Sequence, residues 1–206
     1  MSSGITESVL LPVCEAFCSL QGEGRHTGRA AWFVRLAGCD TGCPWCDSAH
    51  ARSVGAGRMT DVGDIASAAA ASGVPTVIVT GGEPTMHPLS ELVERLHGCG
   101  LKVHLETAGT HSSDACFDWV CLSPKSMREP LPEWFAKADE LKVVISCDDD
   151  FARACGWAAR TRKECRLYLQ PEWGRRQTLL PRIVEYIKSH PQWRLSLQTH
   201  KYTDIP

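Results

Sequence analysis

Cys39, Cys43 and Cys46 stand at CxxxCxxC spacing in the run Gly38-Cys39-Asp40-Thr41-Gly42-Cys43-Pro44-Trp45-Cys46-Asp47-Ser48. At roughly 3.3 to 3.6 Å per extended residue, this loop is long enough to curl three thiolates around a cubane 4Fe-4S cluster. Three ligands leave one iron without a protein donor, as a substrate-binding centre requires and as a catalytic zinc keeps one position open. Glycine and proline between the cysteines suit a chain folded tightly around an inorganic core. Structural zinc is the competing chemistry, because three cysteines with His50 as fourth ligand also suit a tetrahedral ion. A disulfide within the loop fits a reducing compartment poorly.

Two further groups could bind small molecules. Gly81-Gly82-Glu83-Pro84 offers unsubstituted backbone and its amides to a ligand, and Glu83 a carboxylate for an ammonium group; alone, such a glycine pair is also an ordinary turn. Lys125, in Ser123-Pro124-Lys125, is either a solvated lysine or a cation placed to hold an anion. The other eight cysteines (Cys14, Cys18, Cys99, Cys116, Cys121, Cys147, Cys155 and Cys165) have no convincing ligand spacing, Cys14 with Cys18 coming nearest, and read as core or surface thiols. Among eight histidines, only His200 stands out by position.

These residues need a scaffold that converges them, and the apolar pattern supplies one. Strand candidates cover residues 31–37, 76–80, 101–106, 119–122, 141–146, 166–170 and 193–198, alternating with helical patterns as around a parallel sheet. Val62, Ile65, Ala66 and Ala69 follow helical spacing, with Thr60 as the expected N-cap. Leu89, Leu92, Val93 and Leu96 form a second stripe, and Leu180, Ile183, Val184 and Ile187 a third; all three read as core. Residues 49–58 are the one loose stretch. Parallel strand-helix folds gather their sites at the carboxyl ends of the strands. The cysteine loop, the glycine pair, Glu106-Thr107, Ser123-Pro124-Lys125, Gln170-Pro171 and Gln198-Thr199-His200-Lys201 all fall at such ends, on one rim.

At 206 residues the chain suits one sizeable domain, 1–206, with no linker or repeat dividing it. With 43% hydrophobic and 22% charged residues it is globular in type, and a net charge of -2 lacks the basic field that gathers nucleic acid or anionic membrane. Residues 1–7 carry no positively charged segment leading into an apolar run, and no stretch approaches the roughly 20 apolar residues of a membrane span, so a cytoplasmic location is expected. Eleven cysteines, an odd number, fit metal binding and core packing in a reducing compartment better than a paired secreted framework.

The CxxxCxxC loop, an aromatic before its third cysteine, and Gly-Gly-Glu-Pro after the next strand resemble the radical S-adenosylmethionine superfamily. A narrower resemblance runs from end to end: Leu20-Gln21-Gly22-Glu23-Gly24, Phe33-Val34-Arg35, Cys46-Asp47-Ser48, Glu106-Thr107, Ser123-Pro124-Lys125, Leu169-Gln170-Pro171 and Leu197-Gln198-Thr199-His200-Lys201-Tyr202 are similar to the 7-carboxy-7-deazaguanine synthase family. The resemblance implies a partial (β/α) TIM-like barrel that pairs as a homodimer. It also implies radical ring contraction of 6-carboxy-5,6,7,8-tetrahydropterin with loss of ammonia. The open iron would chelate the amino and carboxylate groups of S-adenosylmethionine, and an electron from a flavodoxin- or ferredoxin-type donor would lead to cleavage of its C5′–S bond.

By the same resemblance, Cys39, Cys43 and Cys46 hold the cluster. Trp45, Cys46, Asp47, Gly82, Ser123, Pro124, Lys125, Gln170 and Pro171 contact S-adenosylmethionine, and Leu20, Gln21, Gly22, Arg35, Thr80 and Pro206 contact the pterin. Ser48, where many members carry threonine, offers its hydroxyl to Mg2+. Arg35 suits its role chemically, since a guanidinium grips a carboxylate with two parallel hydrogen bonds; a surface ion pair is the plainer alternative. Two other functions share parts of the pattern: a glycyl-radical activating enzyme acting on a protein, and a non-catalytic zinc-stabilised binding module. The Leu20 to Gly24 run and the His200-Lys201 segment speak against the first.

Overall fold

The computed structural model describes residues 8–206; residues 1–7, over which the sequence lacks a leader-like charge pattern, lie outside the described residues. The strands are β1 Leu10–Leu20, β2 Ala30–Leu36, β3 Arg58–Asp61, β4 Thr76–Gly81, β5 Lys102–Thr107, β6 Trp119–Leu122, β7 Glu140–Ile145, β8 Arg166–Pro171 and β9 Trp193–Leu195. The helices are α1 Val62–Ala71, α2 Ser90–Gly98, α3 Pro132–Lys137, α4 Asp149–Ala158, α5 Arg176–Ser189 and a single turn, α6, His200–Thr203. All nine strands join one sheet in the order β3-β1-β2-β4-β5-β6-β7-β8-β9. Pairing is antiparallel for β3-β1 and β1-β2 and parallel from β2 through β9.

Alternation along the parallel strands sorts the chemistry. On β7, Leu141, Val143 and Ile145 are buried against the helical layer, and Glu140, Lys142 and Val144 take the opposite face. The same step separates Val103 and Leu105 from His104 and Glu106 on β5, and Leu167 and Leu169 from Tyr168 and Gln170 on β8. The outer face packs against Ile65, Ala66 and Ala69 of α1, Leu92, Val93 and Leu96 of α2, Phe135 of α3 and Trp157 of α4. Each fully buried leucine or phenylalanine there contributes about 1.5–3 kcal/mol. The inner face keeps the polar groups.

The sheet curls. Laid flat, β1 and β9 would stand about 34 Å apart at ~4.8 Å per strand. Yet Thr199, just beyond β9, donates its amide to the Gly22 carbonyl (2.9 Å), and Gly24 donates its amide to Ser196 Oγ (3.0 Å). The residues after β1 therefore cross the mouth of an open, partial (β/α) barrel. No described helix is long and apolar enough to cross a membrane.

Several local expectations are corrected. Asp61, not Thr60, caps α1: its carboxylate accepts from the Gly63 (2.6 Å) and Asp64 (3.3 Å) amides, and an anion suits the positive end of a helix better than a hydroxyl. On α5, Ile183 is buried and Ile187 packs against the core as expected, but Leu179 rather than Leu180 is the other buried residue, and Val184 is only partly buried. The loose stretch contains two single 3-10 turns, 49–51 and 54–56, and its last residue, Arg58, opens β3. β9 stops at Leu195, which frees Gln198 to turn inward.

Candidate active site

The cysteine loop is held from both sides. Gly38 and Cys39 donate their amides to the carbonyls of Ala51 (2.8 Å) and Arg52 (2.9 Å), and the Arg52 guanidinium donates to the Cys43 carbonyl. The Gly82 and Glu83 amides bond to the Leu36 (2.9 Å) and Gly38 (2.8 Å) carbonyls, which ties the glycine turn to the base of the cysteine loop. A Cβ at Gly82 would collide with the Gly38 carbonyl, so this approach needs glycine. Two expectations change. Those amides face neighbouring carbonyls rather than a ligand, and buried Glu83 accepts from Thr85 (amide 3.1 Å, hydroxyl 2.6 Å), Thr107 Oγ1 (2.5 Å) and the Ala108 amide (2.7 Å). It braces the rim instead of awaiting an ammonium group.

Cys39, Cys43 and Cys46 form one wall of a cavity of about 510 Å³. Burial pushes the Cys43 thiol up, and the ammonium of Lys125 opposes that shift. Lys125 itself is pulled down by burial; its Nζ donates to Ser123 O (2.5 Å) and Oγ (2.7 Å) and lies 5.9 Å from the centre of the Trp45 ring. His50 turns away, its Nε2 lying 3.5 Å from Glu15 Oε1, and is not part of the cavity wall. Among the described residues, no three His, Cys, Asp or Glu side chains converge tightly enough to hold one ion. With His50 turned away, the wall lacks the fourth ligand of the Cys-Cys-Cys-His zinc site and presents the set of three thiolates that a 4Fe-4S cluster with an open iron needs.

Beside the cysteines, the cavity floor is a network of charges drawn from six segments: the residues after β1, the cysteine loop, β5, β7, β8 and the residues after β9. Lys142 Nζ lies between Glu23 Oε2 (2.5 Å) and Glu106 Oε2 (2.8 Å). Glu23 Oε1 accepts from Gln170 Nε2 (3.1 Å) and Gln198 Nε2 (2.8 Å), and Glu106 Oε1 from Gln21 Nε2 (3.1 Å). Burial works to raise Glu23, but the Lys142 ammonium outweighs it and holds the carboxyl below its ordinary value. Gln198 Nε2 also donates to Asp47 Oδ2 (2.9 Å), which pairs with Lys201 Nζ at 3.1 Å. Burial pushes Asp47 up as well, yet the Lys201 charge and the donors Lys201, Gln198 and Ser48 hold it at about 2.

Arg35 sits at the side of the cavity, its Nε on Glu15 Oε1 (2.5 Å) and its Nη1 on Ser48 Oγ (3.1 Å), with further N–H donors left over. Phe17 and Phe33, stacked at 5.4 Å, supply apolar wall beside it. His200 packs over Gly22, where a Cβ would strike the imidazole. Ser19 Oγ donates to the Pro206 carbonyl (2.7 Å) at the mouth.

All but two of the residues expected at the site line this one cavity: Leu20, Gln21, Gly22, Arg35, Cys39, Cys43, Trp45, Cys46, Asp47, Ser48, Thr80, Gly82, Ser123, Lys125, Gln170 and Pro206. Pro124 and Pro171 do not line it. Both are buried at the outward step of the alternation, one residue beyond Ser123 and Gln170. Sequence reasoning passed over Lys142 and Trp173, which also line the cavity. Lys142 did carry a signal, being a charge inside the apolar run Leu141-Lys142-Val143-Val144-Ile145 of a central strand.

Comparison with known proteins agrees with this geometry. The Radical SAM superfamily profile matches residues 34–145, more than half of the chain. The chain is 42% identical to 7-carboxy-7-deazaguanine synthase of Flavobacterium psychrophilum, over 98% of this chain and 96% of that one. It is also 42% identical to the Synechocystis sp. enzyme of the same name, over 96% and 95%. The crystal structure of QueE from Escherichia coli superposes with a TM-score of 0.82 at 30% identity, covering 93% of this chain and 95% of that one. A barrel whose rim gathers three cysteines, and relatives aligned over nearly its whole length, lead to one conclusion: the chain belongs to the radical SAM superfamily and, within it, to the 7-carboxy-7-deazaguanine synthase family.

Proposed function

We propose that the chain, as a single domain, converts 6-carboxy-5,6,7,8-tetrahydropterin to 7-carboxy-7-deazaguanine with loss of ammonia, a carbon–nitrogen lyase reaction on the route to queuosine. The observation that carries this reading is the single cavity shared by the cysteine wall, with Gly82 and Lys125, and by Leu20, Gln21, Gly22, Arg35 and Thr80. Family membership implies a 4Fe-4S cluster and S-adenosylmethionine. When bound, they supply one-electron, hydrogen-abstracting chemistry.

The chain's own residues bind, orient and shield. Cys39, Cys43 and Cys46 serve as thiolate ligands, and Lys125 lowers the cost of ionising Cys43. Trp45, Asp47, Gly82, Ser123, Lys125 and Gln170 line the S-adenosylmethionine side, and Pro124 and Pro171, buried one residue farther on, hold Ser123 and Gln170 in place. Arg35 uses its remaining N–H groups on the substrate carboxylate. Ser48 Oγ, 3.3 Å from Asp47 Oδ1, is an oxygen donor suited to Mg2+. Phe17, Phe33 and Val144 keep water from the wall, and Pro206 borders the mouth. The reading includes a cytoplasmic location, a homodimer and a flavodoxin- or ferredoxin-type electron donor.

The test is anaerobic incubation of reconstituted protein with reductant, S-adenosylmethionine, magnesium and 6-carboxytetrahydropterin, followed by mass analysis. The expected product is 7-carboxy-7-deazaguanine, formed more slowly without magnesium or with Ser48→Ala. Full cluster loading without that product sinks the reading. A colourless protein carrying zinc alone would revive the binding module, and S-adenosylmethionine cleavage that needs a second protein would revive the activating enzyme.

A further inference from the structure

Lys142 lies at the centre of β7, is 4% exposed, and lines the cavity. Its hydrogen-bonding neighbours come from other segments: Glu23 follows β1, and Glu106 is the penultimate residue of β5. Both carboxylates line the cavity beside it. Each has its second oxygen fixed by amide side chains, Glu23 by Gln170 and Gln198 and Glu106 by Gln21. One ammonium therefore joins β5 to the segment after β1, where acids form the cavity floor.

We infer that Lys142 is the positioning residue of this site: its ammonium fixes the Glu23 and Glu106 carboxylates side by side, so that the cavity floor is an acceptor surface for the donor-bearing edge of the substrate. The inference rests on the proposed pterin-converting reading and deepens it. Two of the three N–H donors of Lys142 are taken by Glu23 and Glu106, and its role is assigned through these two acids. Its removal would leave two adjacent carboxylates buried without a counter-charge, which favours a shared proton over two anions. The floor would then present a hydroxyl donor where the substrate needs an acceptor.

The surroundings define how that change would titrate. Around Lys142 stand Glu23, Glu106, Glu140 and Cys121, with Lys125 farther along the barrel. Glu23 also feels Asp47 and His200, and Glu106 feels His26. Glu140 is the third acid of the group and lies outside the cavity wall, its Oε2 accepting from the Arg25 amide (2.9 Å) and its Oε1 facing Cys121 Sγ (3.7 Å). Burial favours the uncharged form of Glu140, and glutamine holds that position uncharged at every pH while retaining the oxygen that the Arg25 amide needs.

The experiment measures the apparent KM for 6-carboxytetrahydropterin against pH in wild type, Lys142→Met, Lys142→Arg and Lys142→Met/Glu140→Gln. Cluster iron and substrate-independent S-adenosylmethionine cleavage serve as controls. Lys142→Met is expected to retain both controls, to raise KM about tenfold or more at neutral pH, and to move the acidic limb of the KM profile upward by about one unit. Lys142→Arg should restore most of the affinity, and the double variant, in which position 140 is uncharged throughout, should show the same shifted limb as Lys142→Met. A Lys142→Met profile that overlays wild type, or a loss confined to kcat, overturns the inference. If Lys142→Met does not fold, the double variant is compared with Glu140→Gln by the same criterion. Wild-type protein that fails to bind the pterin would sink the proposed function instead. The Lys142 role is then judged by infrared titration of the carboxyl groups, where an unchanged carboxylic-acid band in the variant overturns it.

Discussion

Burying a thiol opposes its ionisation, so a cysteine meant to bind metal needs a nearby cation or the metal itself. Cys43 is buried, and Lys125 and Arg52 are the cations that offset its burial. Cys43→Ala removes one of three thiolates from a wall that offers no replacement, since His50 is held at Glu15. The variant should lose cluster iron and all S-adenosylmethionine cleavage; iron content and 5′-deoxyadenosine formation measure both, and an active variant refutes the ligand assignment. Arg35 separates the two halves of the cavity chemically. Arg35→Ala should keep iron and S-adenosylmethionine cleavage yet raise the pterin KM about ten- to hundredfold, the usual worth of a charged hydrogen-bonded contact. An unchanged KM would remove Arg35 from the substrate site and leave it as an ion-pair partner of Glu15.

At the scale of elements, the parallel core was legible because its strands are apolar runs bounded by glycine, proline and polar residues, and each was found within two residues of its observed ends apart from β9. The antiparallel part was not. β1 contains Pro12, and its register shifts between Val13 and Glu15, which breaks the period-two signal; β3 is Arg58-Met59-Thr60-Asp61, an edge with almost no β propensity that exists because β1 offers it partners. The site was legible as motifs on one rim, but their internal bonding was not, because sequence cannot tell a turn that offers amides from one whose amides already face neighbouring carbonyls. Glu83 exposes that difference. In Glu83→Gln an amide nitrogen must face Thr85, Thr107 or the Ala108 amide, all of them donors here, and a buried donor goes unpaired. The expected cost is about 2–3 kcal/mol in urea denaturation at unchanged m-value. A midpoint equal to that of wild type would mean that the brace carries no weight.

For the whole molecule, curling a sheet with a polar inner face concentrates charge where water is scarce. Glu23, Glu106 and Glu140 all gather near one lysine, and a barrel interior that ionised all three would hold uncompensated negative charge. The fold resolves this at Glu140. Burial first, and the neighbouring Glu106 next, push its carboxyl up to about 7, against the opposing pull of Lys142. The folded carboxyl thus keeps its proton to higher pH than the unfolded one, whose ordinary value is 4.5. Between those values the folded state binds more protons, so the stability that Glu140 contributes is complete below about 4.5 and is lost as pH rises toward 7. The loss amounts to about 3 kcal/mol at neutral pH, an order-of-magnitude figure. Glutamine cannot ionise and keeps the acceptor for the Arg25 amide, so Glu140→Gln should be more stable than wild type at pH 7 and nearly equal to it at pH 4.5. Urea denaturation of both proteins across that range, with cluster loading matched, measures the difference. Parallel stability curves would show that Glu140 carries its charge inside the barrel, and the excess negative charge would then have to be neutralised elsewhere in the network.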